Sequence, residues 1–201
     1  MPLLCLSFFI LIVSTINFFG GNTRNRDRAK RDAFWAKESE ANATECKDLS
    51  SLPYITLDDA LFTITVSEPE LVSLKDQLLS LKDKKIVNFT GYTNTDLKLT
   101  YGAANIGALT QFDQNFTDLC AYVRDFGKAL LDAGQVEDAQ TVLEYGIRIG
   151  SDITENYVIL AYLYLEKHQT YRIDSLIESA SQLNSLSKDT IILKLTKIVH
   201  P

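Results

Sequence analysis

Leu119-Cys120-Ala121-Tyr122-Val123-Arg124-Asp125-Phe126-Gly127-Lys128-Ala129-Leu130-Leu131-Asp132-Ala133-Gly134 runs directly into Gln135-Val136-Glu137-Asp138-Ala139-Gln140-Thr141-Val142-Leu143-Glu144-Tyr145-Gly146-Ile147-Arg148-Ile149-Gly150. In the first half Leu119, Val123, Phe126, Gly127 and Leu130 recur every three or four residues, which places them on one face of a helix. Ala133-Gly134 ends that period, because glycine accepts the left-handed backbone that closes a helix. In the second half Ala139, Val142, Leu143, Gly146 and Ile147 form another apolar face, which stops at Gly150. Two amphipathic helices joined through so short a glycine turn make an antiparallel αα-hairpin.

A shift of 34 residues repeats the pattern. Val123 falls on Tyr157, Phe126 on Leu160, Gly127 on Ala161, Leu130 on Tyr164, Leu143 on Ile177 and Gly146 on Ala180. Small residues thus recur where two helices approach closely, and large ones where they fill the groove. On these residues the stretch from about 120 to 187 resembles the tetratricopeptide repeat family, whose period is 34 residues. It departs from that pattern at Ile173, where a small residue is expected, at His168, which replaces the turn glycine, and at Ser151 and Ser185, which stand where a late proline is usual. The resemblance implies an α-solenoid that binds protein partners. The chain as a whole is also similar to uncharacterised single-pass bacterial membrane proteins bearing such a domain.

Outward from the two units, Lys188 to Val199 has the pattern of a terminal helix that covers the end of a stack. Before them, Leu52 to Leu57 and Leu61 to Val66 alternate as short extended segments. Ser67 is the expected N-cap of a helix that begins around Pro69 and carries Leu71, Leu74, Leu78 and Leu81. Thr95 to Tyr101 reads as a further short helix, capped by Gly102. The expected organisation is therefore an anchor at 1–21, a juxtamembrane linker at 22–51 that is partly helical from Arg28 to Ser39, a mixed helical and extended lead-in at 52–111, and helical repeats with a capping helix at 112–201.

The anchor rests on Leu3 to Phe19, an uncharged apolar run closed by Gly20-Gly21. At ~1.5 Å per residue it reaches roughly 26–28 Å, enough to cross a bilayer core as one helix. A cleaved signal peptide would carry a basic start and a small-residue cleavage site, and this segment has neither. The basic residues follow the span, so the positive-inside rule puts the C-terminal domain in the cytoplasm of a single-pass membrane protein. Arg24, Arg26, Arg28, Lys30 and Arg31, against Asp27 and Asp32, give this stretch a net charge of +3. The cluster is read as a topology determinant, and Trp35 stands too far past the span to be read as an interfacial anchor.

The whole chain of 201 residues carries a net charge of −6, so everything outside this cluster sums to −9. An acidic domain with no basic face repels phosphate backbones, which argues against nucleic-acid binding. Cys5, Cys46 and Cys120 are widely spaced and odd in number, so they define neither a disulfide framework nor a metal-ligand pair. The two histidines, His168 and His200, lie in a turn and at the chain end, and no phosphate-binding, zinc or EF-hand motif is present. The expectation is a protein without catalytic residues, metal or cofactor. Its expected role is a membrane-tethered scaffold or adaptor that holds a protein partner or extended peptide, with Arg124, Asn156 and Tyr162 as candidate groove residues. The alternative is a structural or assembly subunit that contacts its complex through the transmembrane helix.

Overall fold

A computed structural model describes residues 26–200, and the expected membrane anchor at 1–21 lies outside them. Among the described residues every regular element is a helix: α1 (26–43), α2 (Asp59–Thr63), α3 (Pro69–Leu79), α4 (Asn94–Tyr101), α5 (Ile106–Asp132), α6 (Val136–Arg148), α7 (Thr154–Glu166), α8 (Tyr171–Ser181) and α9 (Lys188–Val199). The chain is thus mostly α. No described helix is long and apolar enough to cross a membrane.

Backbone contacts divide the described residues into two compact units, 26–47 with Thr93–Ile106, and Asp48–Tyr92 with 107–200. In the first unit α1 extends beyond the Arg28 to Ser39 stretch expected to be helical and packs on α4. Lys37 Nζ meets Asp96 Oδ1 at 2.9 Å, Lys98 pairs with Glu38, and Thr95 Oγ1 donates to Glu38 Oε2 at 2.8 Å. Thr93 and Asp96 cap α4 reciprocally, each side chain accepting the other's backbone N–H. Helix α1 thus covers the stretch from Arg28 to Ser39 expected to be helical and runs on to residue 43.

In the second unit the extended segment 52–57 meets Ile86, whose carbonyl accepts from the Ile55 N–H at 2.9 Å, and Val87 donates to the Phe112 carbonyl of α5. The fully buried part of this face holds Leu61, Leu78, Ile86, Leu119, Val123 and Phe126. Asn115 belongs to the same face and donates to the Lys85 carbonyl at 2.8 Å. Residues 61–66 are not extended as a whole, because Asp58 accepts from the Ala60 N–H at 3.0 Å and starts a turn of helix. Lys75 Nζ then takes the carbonyls of Phe62 and Ile64 at that helix's end. Helix α3 begins at Pro69 with Glu68, not Ser67, in the cap position.

The hairpin of α5 and α6 is antiparallel. A Cβ on Gly127 would meet Leu143, and one on Gly146 would meet Val123, so the register ascends one helix as it descends the other. Helix α6 is shared by two apolar clusters: Val142 belongs with Leu119, Val123 and Phe126 of α5, and Leu143, which also packs on Gly127, joins Tyr157, Leu160, Ile173 and Ile191. Helices α7 and α8 form the next hairpin, and α9 packs on both.

Three helix ends share one device. At Gly134 and Gly150 the backbone is left-handed (φ 78° and 83°), and the glycine N–H and the one after it return to the last turn: Gly134 to Leu131, Gln135 to Leu130, Gly150 to Ile147, Ser151 to Gly146. His168, 34 residues after Gly134, does the same at φ 55°, with its N–H on Leu165 and that of Gln169 on Tyr164. The substitution of histidine for glycine keeps the turn, at the cost of a strained backbone.

Candidate functional site

Two of the three candidate groove residues share one surface, and the third does not. Arg124 and Lys128 are four residues apart and lie on the same face of α5; Glu155 and Tyr162 are seven apart and lie on the same face of α7. Lys128 Nζ reaches Glu155 Oε1 at 2.9 Å and joins those faces into one. Tyr162 is 55% exposed there, although its neighbours Leu163 and Tyr164 are buried.

The charges on this surface are mutually arranged. Arg124 Nε donates to Asp125 Oδ1 at 2.8 Å, and this bond raises the guanidinium pKa above its ordinary value. Its hydrogen bond to Glu155 likewise raises the Lys128 ammonium. Both cations stay charged, and their pairing with acids leaves a surface of mixed sign, with the exposed Tyr162 ring two turns beyond Glu155 on the same face of α7. Such a surface suits hydrogen bonding and aromatic packing against a polypeptide.

Asn156 is corrected by the structure: it is fully buried, its Nδ2 lying 3.3 Å from where a Cβ of Gly146 would stand. It belongs to the contact between α6 and α7 and faces no groove. Tyr157 and Tyr164 are interior, as their repeat positions require, at 0% and 2% exposure. Tyr157 donates to the Ser151 carbonyl at 3.1 Å, and burial pushes its phenol up to about 12. Tyr164 donates to Glu144 Oε1 at 2.9 Å, under the guanidinium of Arg172, which sits 4.4 Å from the ring.

A cleft elsewhere in the second unit was not found in the sequence. It is a cleft of about 590 Å³ lined by Asn88, Thr90 and Tyr92 on one side, and by Arg148, Gln182 and Asn184 from the ends of α6 and α8 on the other. Arg148 pairs with Asp58 and lies 5.4 Å from the Tyr145 ring, so its charge is already balanced. The residues of this cleft come from three distant stretches of chain, and no local motif marks them.

Neither the α5/α7 face nor this cleft holds a convergent acid–base or nucleophile set. His168 stands exposed in its turn, and burial pushes the Cys120 thiol up to about 12, which holds it protonated and inert. Among the described residues no group of three or more His, Cys, Asp or Glu side chains is placed to hold a metal ion. Comparisons with protein-family models, with curated proteins and with solved structures return no match.

Proposed function

We propose that this chain is a membrane-tethered protein–protein interaction module. Residues 1–21 form a single span, and α5 to α8 form a tetratricopeptide-like α-solenoid, closed by α9, whose α5/α7 face receives a protein partner or an extended peptide. The observation that carries this reading is Tyr162, an exposed aromatic ring on a helix otherwise rich in buried apolar residues, on the face of α7 whose Glu155 pairs with Lys128 of α5. Tethering confines the module to the bilayer surface, so a face of modest affinity still captures partners held at the same membrane. The basic residues after the span favour a cytoplasmic domain.

Two experiments test this. A photo-crosslinking residue at position 162 should trap a protein partner in cells, and Arg124→Ala with Lys128→Ala should abolish the adduct without loss of helical content. Deleting residues 1–21 should leave partner binding intact in solution, whereas an assembly subunit that works through its span would lose it. Orientation follows from Cys46, which is exposed while Cys120 is buried. In a variant lacking Cys5, protection of Cys46 from an impermeant thiol reagent in intact cells, with labelling after lysis, is the outcome expected for a cytoplasmic domain.

A further inference from the structure

Helix α1 is the most exposed element of its unit. From 26 to 37 every residue is open to solvent, and only the last two turns are held by α4, through Lys37, Glu38 and the buried Ala41. Yet the open part carries Phe34 and Trp35, 55% and 63% exposed, stacked edge to face with centroids 5.4 Å apart. Around them stand Arg26, Arg28, Lys30 and Arg31 against Asp27 and Asp32, and none of the four cations forms an ion pair with a described residue.

The helical period gathers these groups. At ~100° per residue Arg28, Arg31 and Trp35 fall within an arc of roughly 60°. Two unpaired cations and an amphipathic ring on one side of a helix are what an anionic bilayer surface takes up: the charges meet lipid headgroups and the indole sits at the boundary with the acyl chains. We propose that α1 lies along the membrane and docks through Arg28, Arg31 and Trp35, with Phe34 beside them, on the headgroups of anionic phospholipids.

This rests on the reading of residues 3–19 as a span, which brings α1 to the bilayer. If the chain continued from Phe19 as a straight helix along the membrane normal, Trp35 would stand about 24 Å beyond it, past a headgroup layer of roughly 5–8 Å. Gly20-Gly21-Asn22-Thr23 is composed of residue types that end helices, so a span closing at Phe19 does not oblige α1 to continue along its axis. Distance along a surface excludes nothing, so Trp35 becomes an interfacial residue despite its place in the sequence.

Trp35 is the sole tryptophan, so its fluorescence reports this contact alone. The full chain is reconstituted into vesicles of phosphatidylcholine, or of phosphatidylcholine with phosphatidylglycerol. In the anionic vesicles Trp35 emission should move to shorter wavelength and be quenched by lipids brominated near the top of their acyl chains, and high salt should reverse both. Taking about fivefold per basic residue near an anionic surface, Arg28→Gln with Arg31→Gln should lower the docked-to-free ratio about 25-fold. Both side chains are exposed, so the variant keeps its fold. Trp35 emission that is unquenched and identical in the two lipids overturns the proposal. Alkaline carbonate extraction separates the two readings. A chain that stays in the pellet with Trp35 unquenched retains the span and loses the docked helix; one that is extracted, yet quenched in anionic vesicles, loses the span and keeps the surface contact.

Discussion

The close approach of α5 and α6 makes a quantitative demand on Gly146. A Cβ at this position would lie 2.7 Å from Val123 Cγ1 and 3.3 Å from Asn156 Nδ2, against 3.4 Å or more for ordinary contact. Gly146→Ala therefore forces a local displacement of about 0.7 Å between partners that are both fully buried. Overpacking of this kind costs about 1–3 kcal/mol, and replacing a mid-helix glycine by alanine returns about 1 kcal/mol. The net expectation is about 1 kcal/mol of destabilisation. Val123→Ala removes two buried methyl groups at about 0.8 kcal/mol each and leaves a small cavity, about 2 kcal/mol in all.

If the two residues touch, the double variant is less destabilised than the sum, because the space vacated by Val123 accepts the new methyl. The expected coupling is about 1–2 kcal/mol. Urea unfolding of the detergent-solubilised chain, followed by far-UV circular dichroism, measures all four corners of the cycle. Gly107→Ala, in the first turn of α5 with no atom within 4 Å of the new Cβ, is the control and should be neutral or slightly stabilising. Additivity within about 0.5 kcal/mol would refute the antiparallel register assigned to this hairpin.

Other consequences follow from single groups. His168→Gly should stabilise the chain by about 0.5–1 kcal/mol, since relief of a left-handed backbone exceeds the entropy that glycine adds to the unfolded state; a lower urea midpoint would contradict the φ of 55° at this turn. The hydrogen bond from Thr93, and then that from Lys37, hold Asp96 at about 2, below its ordinary 3.8. A lowered pKa in the folded state stabilises above about pH 4, and that contribution is lost as pH falls toward 2. Carboxyl NMR titration should show the low midpoint, and Asp96→Asn should remove this acid-sensitive part of the stability of the first unit. Asn156 is buried with neither side-chain polar atom hydrogen-bonded in the protein, so Asn156→Leu should be neutral or stabilising by about 1 kcal/mol and should leave partner capture at position 162 unchanged.

What the sequence made legible is what one helix decides for itself. The 34-residue step, the glycine stops at 134 and 150, and the apolar faces of α5 to α9 are local periodicities, and helices form over the residues that carry them, although α5 begins at Ile106, ahead of the boundary expected at 112. Asn156 shows where such reading ends. Its polarity argued for a surface position, but burial is decided by α6, across a contact that exists only because Gly146 lets the two helices approach. The run Leu61 to Val66 fails for a related reason: its alternation is that of a strand, but Asp58 and the distant Lys75 satisfy the ends of a short helix instead.

The cleft between 88–92 and the ends of α6 and α8 was invisible because its walls come from stretches some sixty to ninety residues apart. Tyr162 and Arg124 were legible for the opposite reason. Each stands outside the apolar period of its own helix, and a large side chain that the period does not bury must meet solvent or a partner. By the same logic Phe34 and Trp35, in a helix with almost no apolar period, have no interior to enter. The proposed partner face and the proposed membrane face are thus both marked by aromatic residues that the local helical pattern leaves unburied, and the difference between them lies in the surrounding charge. Around Tyr162 the cations are matched by Asp125 and Glu155, as suits a polypeptide of mixed sign. Around Trp35 the cations have no ion-pair partner among the described residues, as suits a surface that is itself the anion.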